Sequence, residues 1–333
     1  MVPAGFLLLD NEVSVPGSTA NLGGGFDTLG VAVQLYLRAR IVDVRQDGGA
    51  RLEVVRSKPA PRGINAVERA FAVMAKQASG SVPTVFAEVE SEIPLAAGLG
   101  SSAAATVAGL RIFERVTAPV SEAALLAAAT LLEGHADNAA PALFGGMTSV
   151  VEAAEPRHDS PSDASRAVHA LRWEWPDDLH FVIATPFTGL ATHTARAALP
   201  PTISRKEAVF NLQHVLSLVH ALQNRDYGRL REALQDRWHQ PARAALVPHL
   251  NAVLAIDDPE VLGAYLSGAG PSVAVLARRD FTRVERLLQA TCEAAGTPVT
   301  VRTLAAHQDS RQSPQRQEGL SLSSSPSRPW RTA

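Results

Sequence analysis

The sequence predicts an α+β protein of two domains, and three observations carry that expectation. The chain has 333 residues, more than one hydrophobic core usually organises. Strand-like and helix-like segments follow one another in mixed order, not in the strict alternation of a parallel α/β sheet. Residues 156–166, rich in Pro, Ser, Asp and Arg, separate two such regions and read as a linker or long surface loop. The domains are therefore set at residues 1–160 and 161–306, with a tail at 307–333.

The elements follow in order. Glu12 to Val15 reads as a short strand that stops at Pro16. Val31 to Val44, rich in Val, Leu and Ile with partial alternation, reads as a long strand or a strand pair. Arg51 to Arg56 is expected to be its hairpin partner across the Asp47-Gly48-Gly49 turn. Asn65 to Gln77 suits a helix, and Thr84 to Glu90 alternates as a strand with Val85, Ala87 and Val89 on one face. A helix from the glycine turn near position 100 to about Arg115 comes next, then one over Glu122 to Leu132 capped by Ser121. Gly146 to Val151 reads as a strand.

Beyond the linker, Leu179 to Ala184 is an apolar strand, and Ser204 with Glu207 forms a capping box for a helix reaching about Gln223. Asp226 is expected to cap the next helix, and a further helix is set near Arg243 to Leu254. Tyr265 to Leu266 and Ser272 to Ala277 read as short strands around a glycine turn. Asp280 is expected to cap a helix ending at Gly296, and Val299 to Leu304 is the last strand. From about Gln308, Ser, Pro, Gln and Arg dominate and periodicity vanishes, so the tail is expected to be disordered.

Composition narrows the function. A formal net charge of −2 and the lack of a long basic run disfavour nucleic acid and membrane surfaces as partners. The single cysteine, Cys292, excludes an internal disulfide and falls in an amphipathic helix as a small apolar residue. Phe6 to Leu9 is too short for a signal-peptide core, and a reducing, cytoplasmic setting is expected.

Four segments carry chemistry. In Pro94-Leu-Ala-Ala-Gly98-Leu99-Gly100-Ser101-Ser102-Ala103 a glycine turn opens a helix, leaving N–H groups and the positive dipole end free for a phosphate. The same residues also suit a plain helix cap. No lysine follows the glycines, so this is not a Walker loop. Val15 to Asp27 holds Ser18, Asn21, Asp27 and several glycines in one loop. Glu133-Gly134-His135-Ala136-Asp137-Asn138 interrupts an alanine-rich region with polar groups. Ser267-Gly268-Ala269-Gly270-Pro271-Ser272 is a glycine turn between short strands.

Taken in order, these motifs resemble those of the GHMP small-molecule kinases. Residues 94–103 look like the central motif, Val15 to Asp27 like the first and Ser267 to Ser272 like the third. Ser18-x-x-Asn21-Leu22-Gly23-x-Gly25-Phe26-Asp27, Glu133-x-His135-x-Asp137-Asn138, Thr192-x-x-Ala195-Arg196 and Asp236-x-x-His239-Gln240-Pro241-x-Arg243 resemble the homoserine kinases within that family. The likeness spans about residues 11 to 304. Gly17 and Gly24 stand where alanine and proline are more usual, and residues 45–64 are compact.

The resemblance implies a two-domain GHMP kinase fold: a ribosomal protein S5 domain 2-like N-terminal domain that binds ATP, and a ferredoxin-like C-terminal domain. It implies transfer of the ATP γ-phosphoryl group to the hydroxyl of L-homoserine, with Mg²⁺. Asn65, Pro94, Gly98, Leu99, Gly100, Ser101, Ser102 and Ala103 would bind ATP, and Ser102 with Glu133 would hold the metal. Asn21 and Asp27 would take the substrate ammonium, Arg196 and Arg243 its carboxylate, and His135 would position it. Asn138 is favoured over Asp137 as the group at the reacting hydroxyl, with Thr192 near the transferred phosphate. Gly268 and Gly270 would shape the third motif. The resemblance also implies a homodimer. The alternatives are another GHMP kinase, acting on mevalonate, a phosphorylated isoprenoid or a sugar, and a non-catalytic nucleotide-binding protein of the same fold.

Overall fold

The computed structural model describes residues 11–60, 63–152 and 168–308. Two sheets organise them. The backbone of the first is β2 (Leu29–Arg45), where Val33, Leu35, Leu37, Ala39 and Ile41 point into the core while Gln34, Arg38 and Arg40 face out. This is one continuous strand, not a pair. β1 (Glu12–Ala20) runs antiparallel along one edge of it. β1 does not stop at Pro16 but passes through it, with a register shift between Pro16 and Gly17 that bends the strand toward the glycine loop.

The other edge of β2 is shared by β4 (Thr84–Ser91) and β5 (Met147–Glu152). The expected hairpin between β2 and β3 (Arg51–Lys58) is therefore absent. β3 pairs with β4, in parallel, and α1 (Ala66–Gln77) supplies the crossover that a parallel pair requires. The Asp47 turn serves β4 instead: its carboxylate accepts from Gly49 N at 2.9 Å, Thr84 N at 3.2 Å and Thr84 Oγ1 at 2.8 Å.

Three more helices complete this half. α2 (Ser101–Val116) lies against the sheet and is buried on most of its circumference by alanines, Val107, Leu110, Ile112 and Phe113. α1 packs on it through Val67, Ala70, Phe71 and Met74, a helical i, i+3, i+4, i+7 stripe, with Phe71 edge-on to Phe113. α3 (Glu122–Glu133) is capped by Ser121, and the short α4 (Ala139–Phe144) follows the polar motif. β6 (Val168–Trp173) lies beyond the expected domain boundary yet pairs with β5 in the first sheet. The first half thus reaches at least to Trp173. The linker at 156–166 falls outside the described residues.

The second sheet has the order β10-β7-β9-β8, all antiparallel, built from β7 (His180–Pro186), β8 (Gly263–Leu266), β9 (Val273–Ala277) and β10 (Val299–Leu304). With α10 (Phe281–Ala294) joining β9 to β10, this is the split βαβ order of a ferredoxin-like unit. Between β7 and β8 run α5 (Thr192–Ala197), α6 (Arg205–Gln223), α7 (Leu230–Ala233), α8 (His239–Arg243) and α9 (Leu250–Leu254). The capping box of α6 is formed by both of its hydrogen bonds.

Three expectations fail here. The helix expected over Arg243 to Leu254 is broken, because Pro248 denies Val247 the helical conformation and α9 begins only at Leu250. Asp226 accepts from Arg229 Nε at 2.7 Å and makes no cap bond. Asp280, left-handed at φ 49, makes none either. Cys292 is buried in α10 as expected, and burial pushes its thiol up to about 12. His307 and Gln308, placed in the tail, are held: His307 N donates to Ala32 O at 2.8 Å and Gln308 Nε2 to Trp175 O at 2.8 Å. The rest of that tail lies outside the described residues, among which no helix is long and apolar enough to cross a membrane.

The two halves meet at the glycine loops. Gly98 is left-handed (φ 78) and a Cβ on it would collide with the carbonyl oxygen of Ser267. Gly98→Ala is expected to destabilise the protein by about 2 kcal/mol or more, since left-handed strain alone costs about 1–2 kcal/mol. Denaturant unfolding of the variant measures this.

Candidate active site

A cavity of about 400 Å³ opens between the halves, lined from both of them. Its floor is the N-terminus of α2. Gly100, at φ 69, precedes the helix and no side chain caps it. The amides of Ser101, Ser102 and Ala103 are the first of the helix, since the first intrahelical bond runs from Ala104 N to Gly100 O. All three residues line the cavity. An open helix start without a capping carboxylate is an anion site by geometry and by dipole.

Beside it stands an oxygen pair. Ser102 Oγ donates to Glu133 Oε1 at 3.1 Å, and Thr106 Oγ1 donates to the same oxygen at 2.6 Å. The Glu133 side chain is 8% exposed, with Arg69 Nη2 at 3.7 Å. A carboxylate and a hydroxyl converging at the edge of an anion nest are hard oxygen donors of the kind Mg²⁺ takes while keeping its waters. The expected metal pair is thus brought together. Thr106, four residues after Ser102 on the same helix face, and Arg69, four after Asn65, were missed; helical spacing was the signal for both.

The opposite wall is charged. Asp27 and Arg196 form a bidentate pair, Nη2 to Oδ1 at 2.7 Å and Nη1 to Oδ2 at 3.0 Å. Arg243 is 1% exposed. Its Nε donates to Ala195 O at 3.2 Å and its Nη1 to Gly268 O at 3.2 Å, both neutral carbonyls. Among the described residues no carboxylate pairs with it. Burial, with Arg196 nearby, lowers its pKa to about 10, so it stays cationic at neutral pH. Phe26 lies under both guanidinium groups, 5.6 Å from Arg196 Cζ and 5.2 Å from Arg243 Cζ. In the sequence, only its place beside Asp27 in the first motif marks Phe26 as part of the site.

Asn21 lines the cavity and also holds main chain. Its Nδ2 donates to Gly268 O at 2.7 Å and its Oδ1 accepts from Asp27 N at 3.1 Å. Its amide bonds main chain on both sides, so it joins two loops and sets Asp27 in place, while its second N–H remains available in the cavity that Asn21 lines. His135 and Asp137 are bonded to each other, Nδ1 to Oδ1 at 2.6 Å. Ligand atoms of Asp27, His135 and Asp137 lie within 4.8 Å of one another. They are engaged by each other and by Arg196, which makes them a charge network. Asn138 Oδ1 accepts from Ser18 Oγ at 2.9 Å, leaving its Nδ2 as the group to donate. Thr192 opens α5 at the cavity rim.

Three ATP residues lie elsewhere. Asn65 caps α1, its Oδ1 accepting from Val67 N at 3.0 Å, and does not line the cavity. The Leu99 side chain is buried, and Pro94 and Leu99 line a separate cavity of about 310 Å³ on the far side of the loop. Gly268 reaches the main cavity and Gly270 does not.

Comparison with known proteins follows the same lines. Residues 65–146 match the description GHMP kinases N terminal domain, and residues 218–295 match GHMP kinases C terminal. The homoserine kinase of Synechococcus sp. is 38% identical over 326 residues, which covers 92% of this chain and 99% of that protein. That of Deinococcus radiodurans is 40% identical over 263 residues, 78% of this chain and 82% of the relative. Among solved structures, a homoserine kinase from Cytophaga hutchinsonii superposes with a TM-score of 0.73 at 24% identity, covering 92% of this chain and 98% of the other. The mevalonate kinase of Methanococcus jannaschii does so with 0.59 at 12%, covering 89% and 98%. At these identities the structures speak for the fold alone.

His135 gives a test independent of turnover. Burial lowers its pKa, but the bonded Asp137 carboxylate, aided by Asp27, outweighs burial and holds it above 6.5. A raised folded pKa means a stabilising contribution that is full below the unfolded value and lost as pH rises through the folded one. The stability difference between wild type and His135→Gln should therefore shrink as pH climbs from about 6 to 9. Chemical denaturation across that range measures it, and a difference that grows with pH contradicts the pairing.

Proposed function

The chain belongs to the homoserine kinases of the GHMP kinase family, and from that premise we propose how its cavity performs their reaction. ATP gives its γ-phosphoryl group to the side-chain hydroxyl of L-homoserine. The bond from the γ-phosphorus to the β–γ bridging oxygen breaks and a new one forms to the hydroxyl oxygen. The products are ADP, O-phospho-L-homoserine and the hydroxyl proton. The observation that carries this reading is the charged wall: buried, carboxylate-free Arg243 beside the Asp27–Arg196 pair. Such a wall suits a zwitterion, which offers Arg243 and Arg196 a carboxylate and Asp27 an ammonium. Mevalonate would satisfy the arginines but leave Asp27 without a new partner.

The polyphosphate is read onto the amides of Ser101 to Ala103, with Asn65 at the adenine end, where Ile64 is exposed. Ser102 and Glu133 would hold Mg²⁺, which when bound neutralises phosphate charge. Asn138, whose Oδ1 accepts from Ser18, offers its Nδ2–H to the hydroxyl oxygen and, an amide being no base, orients it without removing the proton. Asp137, tied to His135, acts through that imidazole on the charge of the site. A loose phosphoryl-transfer transition state needs little base help, so orientation and neutralisation carry the rate. Thr192 stands ready at the rim for the moving phosphoryl group.

ADP release should depend on L-homoserine and on Mg²⁺, and should be weak or absent with mevalonate and D-homoserine. Turnover of mevalonate at a comparable kcat/KM would overturn the substrate assignment. Arg243→Ala should raise the homoserine KM about tenfold to a hundredfold, the cost of losing a charge-assisted contact, with the KM for ATP nearly unchanged. Asp137→Asn should keep kcat within about tenfold of wild type; a loss of about 10²–10⁴ would make Asp137 a general base.

A further inference from the structure

His239 opens α8 at the point where the first glycine-rich loop meets the second half, and it is fully buried. Both its nitrogens are engaged. Nε2 lies 2.8 Å from Gly23 O, and Nδ1 lies 3.3 Å from Arg243 Nη1. A carbonyl only accepts and a guanidinium only donates. Both contacts therefore exist together only when Nε2 carries the proton and Nδ1 is bare. The ring is neutral, and burial together with the charge of Arg243 keeps it so. Asp236 Oδ2, 3.5 Å from Nε2, and more distantly Asp27 pull the other way. The Asp236 carboxylate is already satisfied by Asn211 Nδ2 at 2.6 Å, Trp238 N at 2.9 Å and Gln240 N at 2.7 Å. Phe26 stacks on the imidazole at 5.4 Å and 28°, which holds its plane.

We propose that His239 is a positioning residue for the amino-acid substrate, coupling the cation that receives the carboxylate to the loop that carries the ammonium's partner. This rests on the homoserine reading of the cavity. The bare Nδ1 fixes the rotation of the Arg243 guanidinium, whose Nη1 it shares with Gly268 O. The Nε2–H grips Gly23, upstream of Asp27 in the same loop. One small neutral ring thus sets the separation between Arg243 and Asp27, the two charges that read an α-amino acid. A lysine or arginine here would add a buried charge beside Arg243. Asparagine and glutamine each reproduce only half of the device: asparagine places an acceptor near the Nδ1 position, and glutamine places a donor near the Nε2 position.

That division supplies the test. H239N and H239Q are compared with wild type in steady-state ADP release, with thermal unfolding alongside. H239N is expected to keep the homoserine KM within about threefold of wild type. H239Q, which lets Arg243 swing, is expected to raise it by about tenfold or more, as for loss of a hydrogen bond to a charged group. The KM for ATP and kcat should stay within about twofold in both. Equal KM effects in the two variants, or none in H239Q, overturn the proposal and leave His239 a packing residue. Should a variant fail to fold, ¹⁵N-histidine NMR of the wild-type protein decides. An Nε2–H neutral tautomer for the buried ring at neutral pH is expected, and an Nδ1–H tautomer or an imidazolium overturns the arrangement. If wild type released no ADP with homoserine, the substrate reading would fall instead, which the tautomer measurement does not touch.

Discussion

Four hydrogen bonds between three glycine-rich loops hold this molecule in working form. Ser18 N donates to Leu99 O at 3.2 Å, Gly268 N to Ala20 O at 3.0 Å, Ser272 N to Ala97 O at 3.2 Å, and Ser267 Oγ to Gly98 O at 2.7 Å. Three of the four use only main chain, so they demand close backbone approach, and the glycines permit it. Thr19 reinforces the seam by bonding both Ser267 Oγ and the Tyr265 hydroxyl, at 2.8 and 2.9 Å. Two of these segments, at the end of β1 and after β4, belong to the first sheet, and the third, between β8 and β9, belongs to the second. Joined this way, they fix the start of α2, and with it the anion nest, relative to the charged wall. The catalytic demand on a kinase of this kind is to align two substrates, and that alignment is built into the seam.

The same seam organises the electrostatics. Gly268 O receives Asn21 Nδ2 and Arg243 Nη1 together. One carbonyl thereby links the residue that sets Asp27 to the buried guanidinium of the charged wall. Asp27, held at a left-handed backbone, and Arg196 neutralise each other on one wall of the cavity. A zwitterion entering there exchanges one ion pair for two of the same kind. Electrostatic loss on desolvation is then largely offset, and selectivity falls on the spacing of charges rather than on their strength.

Much of this was readable in the sequence because the motifs are local. Glycine-opened helix starts, the capping box at Ser204 and the alternation of β2 are all set by neighbours within a few residues. Pairing was not local, and there the reading failed. Arg51 to Arg56 follows a turn, as a hairpin partner should, yet the edge of β2 is taken by β4, from beyond a helix. β6 rejoins the first sheet across residues that look like a boundary. At the site, residue types pointed to the right neighbourhood but not to their partners. Asn21 and Asp27 look interchangeable in sequence as ligands for an ammonium. Only the fold, by aiming the Asn21 amide at two main-chain groups, separates them.

The placement of Arg243 argues for function in its own right. A guanidinium 1% exposed, bonded to carbonyls and a neutral imidazole and to no carboxylate among the described residues, is a poor element of stability. Taking a charge out of water costs several kcal/mol unless an opposite charge returns it, and carbonyl dipoles return only part. Phe26 contributes a cation–π contact of about 0.5–2 kcal/mol, which narrows the gap without closing it. On the homoserine reading, the residue is tolerable because the cavity it lines would take the substrate carboxylate. A carboxylate bound there meets a cation already desolvated and already oriented, so little reorganisation is left for the binding step. On that reading, stability forgone in the free protein would be recovered on binding. On this account a sulfonate or phosphonate analogue of the amino acid should also be drawn to the site, whereas an amide of the substrate, neutral at that end, should not.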